Sequence, residues 1–306
     1  MRAIVLTKHG PPERLQLQEV PKPTPGDHEV LIQVCAATVT SGDVVLRKMH
    51  PLLYLPMRLF GIRPKRIPGH ELAGTIVAVG KHVTQFEIGD AVFGTTTGLR
   101  VGGNAEFVCL PETWATGVLA RRPSNLTCEE AAAVPVGGMT ALYILKKANI
   151  QPGQKALVYG ASGSVGTYAV QLASHHFGAE VTGVCSTDNI ELVKSLGANT
   201  VIDYTQDDVT QHSEQYDVIF DAVGKISRSD CESVLRDSGI YLSVQTTTHE
   251  EMENFLLLKD LIEAGKLRPV IDKTYPLEQV AEAHRYVESG RKKGNVVIMV
   301  NHAQQV

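Results

Sequence analysis

Apolar residues in the first third of the chain fall in short, β-branched runs separated by Gly, Pro and Asp. Residues 3–7, 29–35, 74–79, 91–93 and 105–109 are expected as strands. PKPTPGDHEVLIQV is a proline-rich turn feeding a strand, and GTIVAVGKHVTQFEIGDAVFG reads as two strands across a turn. A small, mostly β, barrel-like domain follows from this pattern. The character changes at about Pro123. EEAAAVPVGGMTALYILKKA is helical, with Thr127 as its cap and Glu129 and Glu130 near the positive helix end. Strand and helix then alternate: strands over 155–159, 180–185, 200–202, 218–222 and 240–244, helices over 165–175, 190–196 and 229–236. Alternation with nearly all-apolar strands implies a parallel sheet covered on both faces. From Lys266 the first style returns, with a helix over 279–289 and a strand over 295–300. The fold class is therefore α/β, with a β-rich domain from residues 1–122 and 267–306 and an inserted domain over 123–266.

Bulk properties narrow the partners. The 306 residues are 43% hydrophobic and 20% charged, enough for two cored domains. A net charge of −4 argues against nucleic acid as the principal partner. No segment reaches the roughly 18 apolar residues that span a bilayer. The five cysteines are scattered and form no C-x-x-C pair, as expected for thiols of a cytoplasmic protein.

KALVYGASGSVGTYAVQLA carries the most chemistry. A strand ends at Tyr159, and Gly160, Gly163 and Gly166 follow at three-residue spacing before an apolar helix. Such glycines allow a tight turn, close backbone approach to a pyrophosphate and close helix–strand packing. Ser164, Val165 and Gly166 open the helix, whose first amides and dipole bind phosphate. The next strand ends in Cys185-Ser186-Thr187, where NAD binders place an acidic residue for the ribose. Ser186, Lys194 and Tyr204 suit a 2′-phosphate, so NADPH is expected over NADH, with Asp188 the opposing charge.

GHELAGTIVAVG, FEIGDAVFG, AAAVPVGGMTALYIL, YGASGSVGTYAVQLA and CSTDNIELVKSLGANTVIDYT, in this order, resemble the medium-chain dehydrogenases/reductases. The GASGSVG form is similar to their zinc-free quinone oxidoreductase, or zeta-crystallin, branch. The resemblance implies a GroES-like β-rich catalytic domain plus a Rossmann doubly wound parallel-sheet domain, with the active site in the cleft between them. It also implies a nicotinamide near Thr140, Val223 and Val244.

Zinc enzymes of this family hold a metal with cysteine and histidine, and Gly69-His70-Glu71 resembles part of that site. Thr40 stands where the first cysteine would fall, and VPVGGMTALYIL lacks the third ligand. A catalytic zinc needs three protein ligands, so none is expected, and His70 becomes a hydrogen-bonded structural residue. Without a Lewis acid the easier reaction is hydride delivery to an electrophilic small molecule, a quinone or an α,β-unsaturated carbonyl. Thr40 is the candidate hydrogen-bond donor to the acceptor oxygen and Tyr54 the candidate proton donor; Asp43, in SGD, is a structural residue. A zinc-independent alcohol or aldehyde dehydrogenase, and a non-enzymatic NADPH-binding protein with a structural or RNA-binding role, are the competing readings.

Two departures from the family pattern stand out. The stretch from Arg47 to Arg66 contains six cations and no acid, and is expected as a loop with a solvated basic face. Between residues 244 and 266 only one helix, MENFLLLKDLIEAG, has room. The sheet should therefore lack its final strand and keep five or six, leaving a monomer or an atypical homodimer.

Overall fold

The computed structural model describes residues 1–49 and 65–300. It divides into two compact units, Met1–Val136 with Glu250–Leu256 and Ile271–Val306, and Gly137–His249 with Leu257–Val270. The division falls at Val136 rather than at residue 122. Its cause is helix α2 (Cys128–Ala132), which packs on strands of the first unit.

The first unit is built around β3 (Glu29–Thr38). One edge of β3 takes β4 (Glu71–Val79) along its length. The other edge is shared by β6 (Phe107–Pro111) and β14 (Asn295–Met299), all antiparallel. Register shifts in β3 let one strand serve three partners. Outward from β4 come β5 (Ala91–Thr95) and β7 (Leu119–Arg121), and β13 (Ile271–Pro276) runs parallel to β14. A separate antiparallel pair is formed by β1 (Arg2–Leu6) and β2 (Leu15–Glu19). Ile32, Leu72, Ile76, Val92, Leu110, Val296 and Ile298 fill the core between these strands. Helix α1 (Ser41–Lys48) follows β3, and α7 (Val280–Glu288) packs against it.

The second unit has a five-stranded parallel sheet in the order β10 (Thr200–Asp203), β9 (Glu180–Cys185), β8 (Lys155–Tyr159), β11 (Tyr216–Asp221), β12 (Leu235–Ser243). The order reverses at β8, where doubly wound sheets place their ligand crevice. Among the described residues β12 is the last strand of this sheet and forms its edge. The remaining helices are α3 (Pro135–Lys146), α4 (Ser164–Gln171), α5 (Ile190–Ser195) and α6 (Met252–Glu263).

Several expectations are corrected. The helix expected over 229–236 shrinks to one tight turn, Ser229–Cys231, and the chain then extends into β12. Leu235 pairs with Tyr216, and the Arg236 guanidinium lies 2.6 Å from Asp217 on β11, so tertiary pairing overrides local propensity. The helix after Thr127 breaks between α2 and α3, because Pro135 has no amide to continue the ladder. Cys35 and Cys128 stand side by side with α carbons 6.4 Å apart, a separation a disulfide can span, while Cys109, Cys185 and Cys231 are free thiols. Of the basic stretch, Arg47 is buried, donating to the Gly10 carbonyl and to Glu288, and Lys48 also pairs with Glu288. Arg47 is thus no part of a solvated face, whereas Lys48 is exposed as expected. Among the described residues, no helix is long and apolar enough to cross a membrane.

Candidate active site

The second unit carries the expected cradle. Gly160 sits at φ +77°, a conformation open to glycine, and a side chain there would strike Val223 at 2.5 Å. A β carbon on Gly166 would lie 2.1 Å from the Gly160 carbonyl oxygen. The turn is thus packed so closely that only backbone fits. Gly163 caps α4, and the amides of Val165 and Gly166 have no acceptor within the helix, as in any first turn. Asp221, at the end of β11, accepts from the amides of Val223, Gly224 and Ile226, fixing the loop beside the cradle. The Val244 amide donates to the Asp221 carbonyl at 2.9 Å, so Val223 and Val244 leave neighbouring strands together. Ser164 opens α4 close to Gly137, and Thr140 lies one turn further along α3, partly buried.

At the end of β9 the side chains form a hydrogen-bonded set. Asn189, buried, donates to Ser162 of the glycine loop at 3.1 Å and to Ser186 at 3.0 Å. It ties the glycine turn to the end of β9, a link no spacing rule revealed. Thr187 donates to Asp203, and Tyr204 is exposed. Lys194 is exposed on α5 with its Nζ 3.1 Å from Glu191.

The first unit gathers a second set of polar groups. Thr40 caps α1 by accepting from the Asp43 amide at 3.0 Å, and Asp43 reciprocates by accepting from the Thr40 amide at 2.9 Å. The Thr40 hydroxyl gives its one proton to Asp43 at 2.6 Å. In this structure the hydroxyl thus clamps Asp43. Asp43 also faces His70 Nδ1 at 2.6 Å. Burial alone would raise the Asp43 carboxyl, but His70 and Thr40 outweigh it and hold it well below the usual range. An ionised carboxylate only accepts, so Nδ1 is the donor and Nε2 is the ring nitrogen left for a ligand.

Next to His70, Glu71 is fully buried, accepting from Thr38 at 2.6 Å and from the Val136 amide at 2.7 Å. Burial pushes its carboxyl up to about 7 against those two bonds. Glu250 accepts from Thr97 at 2.7 Å and from Thr95, and burial raises it as well. Lys65 donates to the Thr96 carbonyl at 2.8 Å and to the Thr96 hydroxyl. Lys65, Glu71 and Glu250 were not singled out by sequence patterning, since their partners are distant along the chain. Tyr54, the expected proton donor, lies outside the described residues.

His70 offers one ring nitrogen, Nε2, to a ligand, with Nδ1 held by Asp43 as in many metal-binding histidines. Thr40 presents a hydroxyl, already given to Asp43, rather than a thiolate. Among the described residues no three His, Cys, Asp or Glu side chains gather in a ligating group.

Family descriptions match the chain in order: an alcohol dehydrogenase GroES-like domain over residues 26–121, and a zinc-binding dehydrogenase over 164–267 and again over 245–298. The chain is 33% identical to the 2-methylene-furan-3-one reductase of Solanum lycopersicum, an alignment covering 97% of this chain and 79% of that protein. It belongs to the medium-chain dehydrogenases/reductases. Within them it falls in the quinone oxidoreductase branch, as an oxidoreductase using a nicotinamide cofactor. It is 30% identical to the chloroplastic NADPH-dependent alkenal/one oxidoreductase of Arabidopsis thaliana, over 97% of this chain and 79% of the relative. The quinone oxidoreductase structure from Coxiella burnetii superposes with a TM-score of 0.84 at 26% identity, over 98% of this chain and 99% of that one. The family's two-part design accounts for the division seen here: a GroES-like unit with the His70–Asp43 pair, and a parallel-sheet unit with the glycine cradle.

Proposed function

We propose that this oxidoreductase reduces quinones or α,β-unsaturated carbonyls with NADPH and without zinc. The observation that carries the reading is the His70–Asp43 pair at 2.6 Å, clamped by Thr40. It stands where the zinc enzymes of the family keep a metal, and it offers hydrogen bonding in place of a Lewis acid. A bound nicotinamide supplies a hydride. The chain's own residues bind and orient: Gly160, Gly163 and Gly166 admit the pyrophosphate, and the amides of Val165 and Gly166 meet its charge. His70 Nε2 faces the acceptor oxygen as a donor when the ring is protonated, held in orientation by Asp43.

NADPH over NADH rests on the hydroxyls of Ser186 and Thr187 and on the exposed Tyr204 and Lys194, which has only a surface carboxylate to leave. The test is oxidation of NADPH and NADH by chelator-treated protein with a quinone and a simple enone. Turnover with NADPH that survives the chelator is expected. Turnover restored only by zinc, or none with any such acceptor, would sink the reading. Substrate recognition then needs only a small electrophile, with no nucleic acid.

A cytoplasmic location belongs to the same reading, and the Cys35–Cys128 pair is its test. Protein taken from cells under thiol-blocking conditions should show all five cysteines as thiols. A count of three would move it to an oxidising compartment.

A further inference from the structure

We propose that Lys65 is a catalytic residue of the reductive step, holding the acceptor's oxygen and protonating it as negative charge gathers there. This rests on the enone-reductase reading and names the group that completes it. Lys65 is the first described residue before β4, on the approach to Gly69 and His70. Its ammonium has three N–H groups. Two are used, both on neutral oxygens of Thr96, whose own hydroxyl is fixed to the Gly69 carbonyl at 2.8 Å. Thr96 is fully buried, so the ammonium is anchored on a rigid strand end. Among the described residues no carboxylate forms a salt bridge with Lys65, and one N–H remains for a ligand.

A partly buried cation satisfied by neutral acceptors is poised for an anion that forms during the reaction. Asp43 from α1 and Glu250 from the segment before α6 face it, and His70 acts on the same Glu250. Burial lowers the Lys65 ammonium to about 8, against the pull of those two carboxylates. The surroundings therefore allow proton loss near neutral pH, which a solvated lysine does not.

The step balances as follows in an enone. A C–H bond forms at the β carbon with the hydride from the reduced nicotinamide, which is thereby oxidised. The C=C pair shifts to make an enolate, and its oxygen takes a proton from Lys65 Nζ. Lys65 is left as a neutral amine and regains a proton from water, while the enol rearranges to the saturated ketone.

The experiment uses the full chain with NADPH and an enone from pH 5 to 10. The wild-type kcat should fall above pH about 8. Lys65→Met should lower kcat at pH 7 about 100-fold and remove that limb, with the NADPH Kd unchanged. Lys65→Arg keeps a charge that cannot deprotonate, so it should recover part of the rate without the limb. Full recovery in the arginine variant, or a limb that persists in both variants, would overturn the proposal. If Lys65→Met does not fold, the arginine profile decides alone. Absence of wild-type turnover with every quinone and enone defeats the parent reading, and this proposal with it. Normal wild-type turnover with an unimpaired Lys65→Met defeats this proposal only.

Discussion

Asp43 and Glu71 are both buried in the first unit, yet their carboxyls shift in opposite directions. Asp43 accepts from a backbone amide, a hydroxyl and an imidazole, enough to stay ionised without water. Its stabilisation is present above its ordinary value of 3.8 and is lost as the pH falls below it. Asp43→Asn cannot accept from all three donors. It should cost about 2–3 kcal/mol in urea unfolding at pH 7 and weaken turnover by freeing His70. An unchanged unfolding midpoint would mean that the cap and the histidine are held by other contacts. Glu71 has only two donors and keeps its proton until about 7. The folded state then binds more protons than the unfolded one between about 4.5 and 7. Its stabilising contribution is complete below that window and lost as the pH rises through it. Glu71→Gln never ionises, so its stability relative to wild type should improve from pH 5 to pH 8, by at most about 1.4 kcal/mol per unit. Thr38 can reverse its hydroxyl to accept from the new amide. A difference independent of pH would show that Glu71 is ionised throughout.

At the level of elements, the turn between β8 and α4 makes a sharp prediction. With a β carbon of residue 166 placed 2.1 Å from the Gly160 oxygen, Gly166→Ala must push the turn off the helix start. NADPH affinity by fluorescence titration should fall at least about tenfold, the equivalent of 1.4 kcal/mol. Full affinity would place the cofactor elsewhere. This turn was legible in the sequence because everything it needs is local: a strand, three spaced glycines and an apolar helix start. The Thr127 cap was legible for the same reason, and both its reciprocal bonds with Glu130 are present. What was not legible depends on partners far along the chain. Residues 229–236 have helical character, but Tyr216 and Asp217 draw Leu235 and Arg236 into β12. Lys65 looked like one of six cations in a basic stretch until Thr96 was seen to receive it. Thr40 and Asp43 were picked out by position, yet their roles turned on a contact with His70, 27 residues away from Asp43.

For the whole molecule, the shortened sheet sets how copies can meet. β12 pairs with β11 on one side, and among the described strands nothing pairs on its other side. An exposed edge is a template for another strand unless it is blunted, and β12 carries Arg236 and Asp237 early in its course. The expected state is a monomer, or a dimer that leaves this edge open. Outward-facing amides of Leu235–Ser243 should then exchange with deuterium as fast as loop amides at any protein concentration. Protection that grows with concentration would reveal edge-to-edge association.

The shared edge of β3 also sets an order of events during synthesis. β4 and β6 leave the ribosome soon after β3 and can pair with it at once. Thr38, Ala37 and Ala36 must wait for Val297, Ile298 and Met299, among the last strand residues made. Every strand of the second unit has emerged by Ser243, long before that closure. The usual amino-terminal-first sequence of domain folding is thereby reversed. Chains arrested near Val270 should already resist protease across the parallel sheet while the first unit remains open to cutting. The nascent protein thus acquires its glycine turn before it can complete the unit that holds His70.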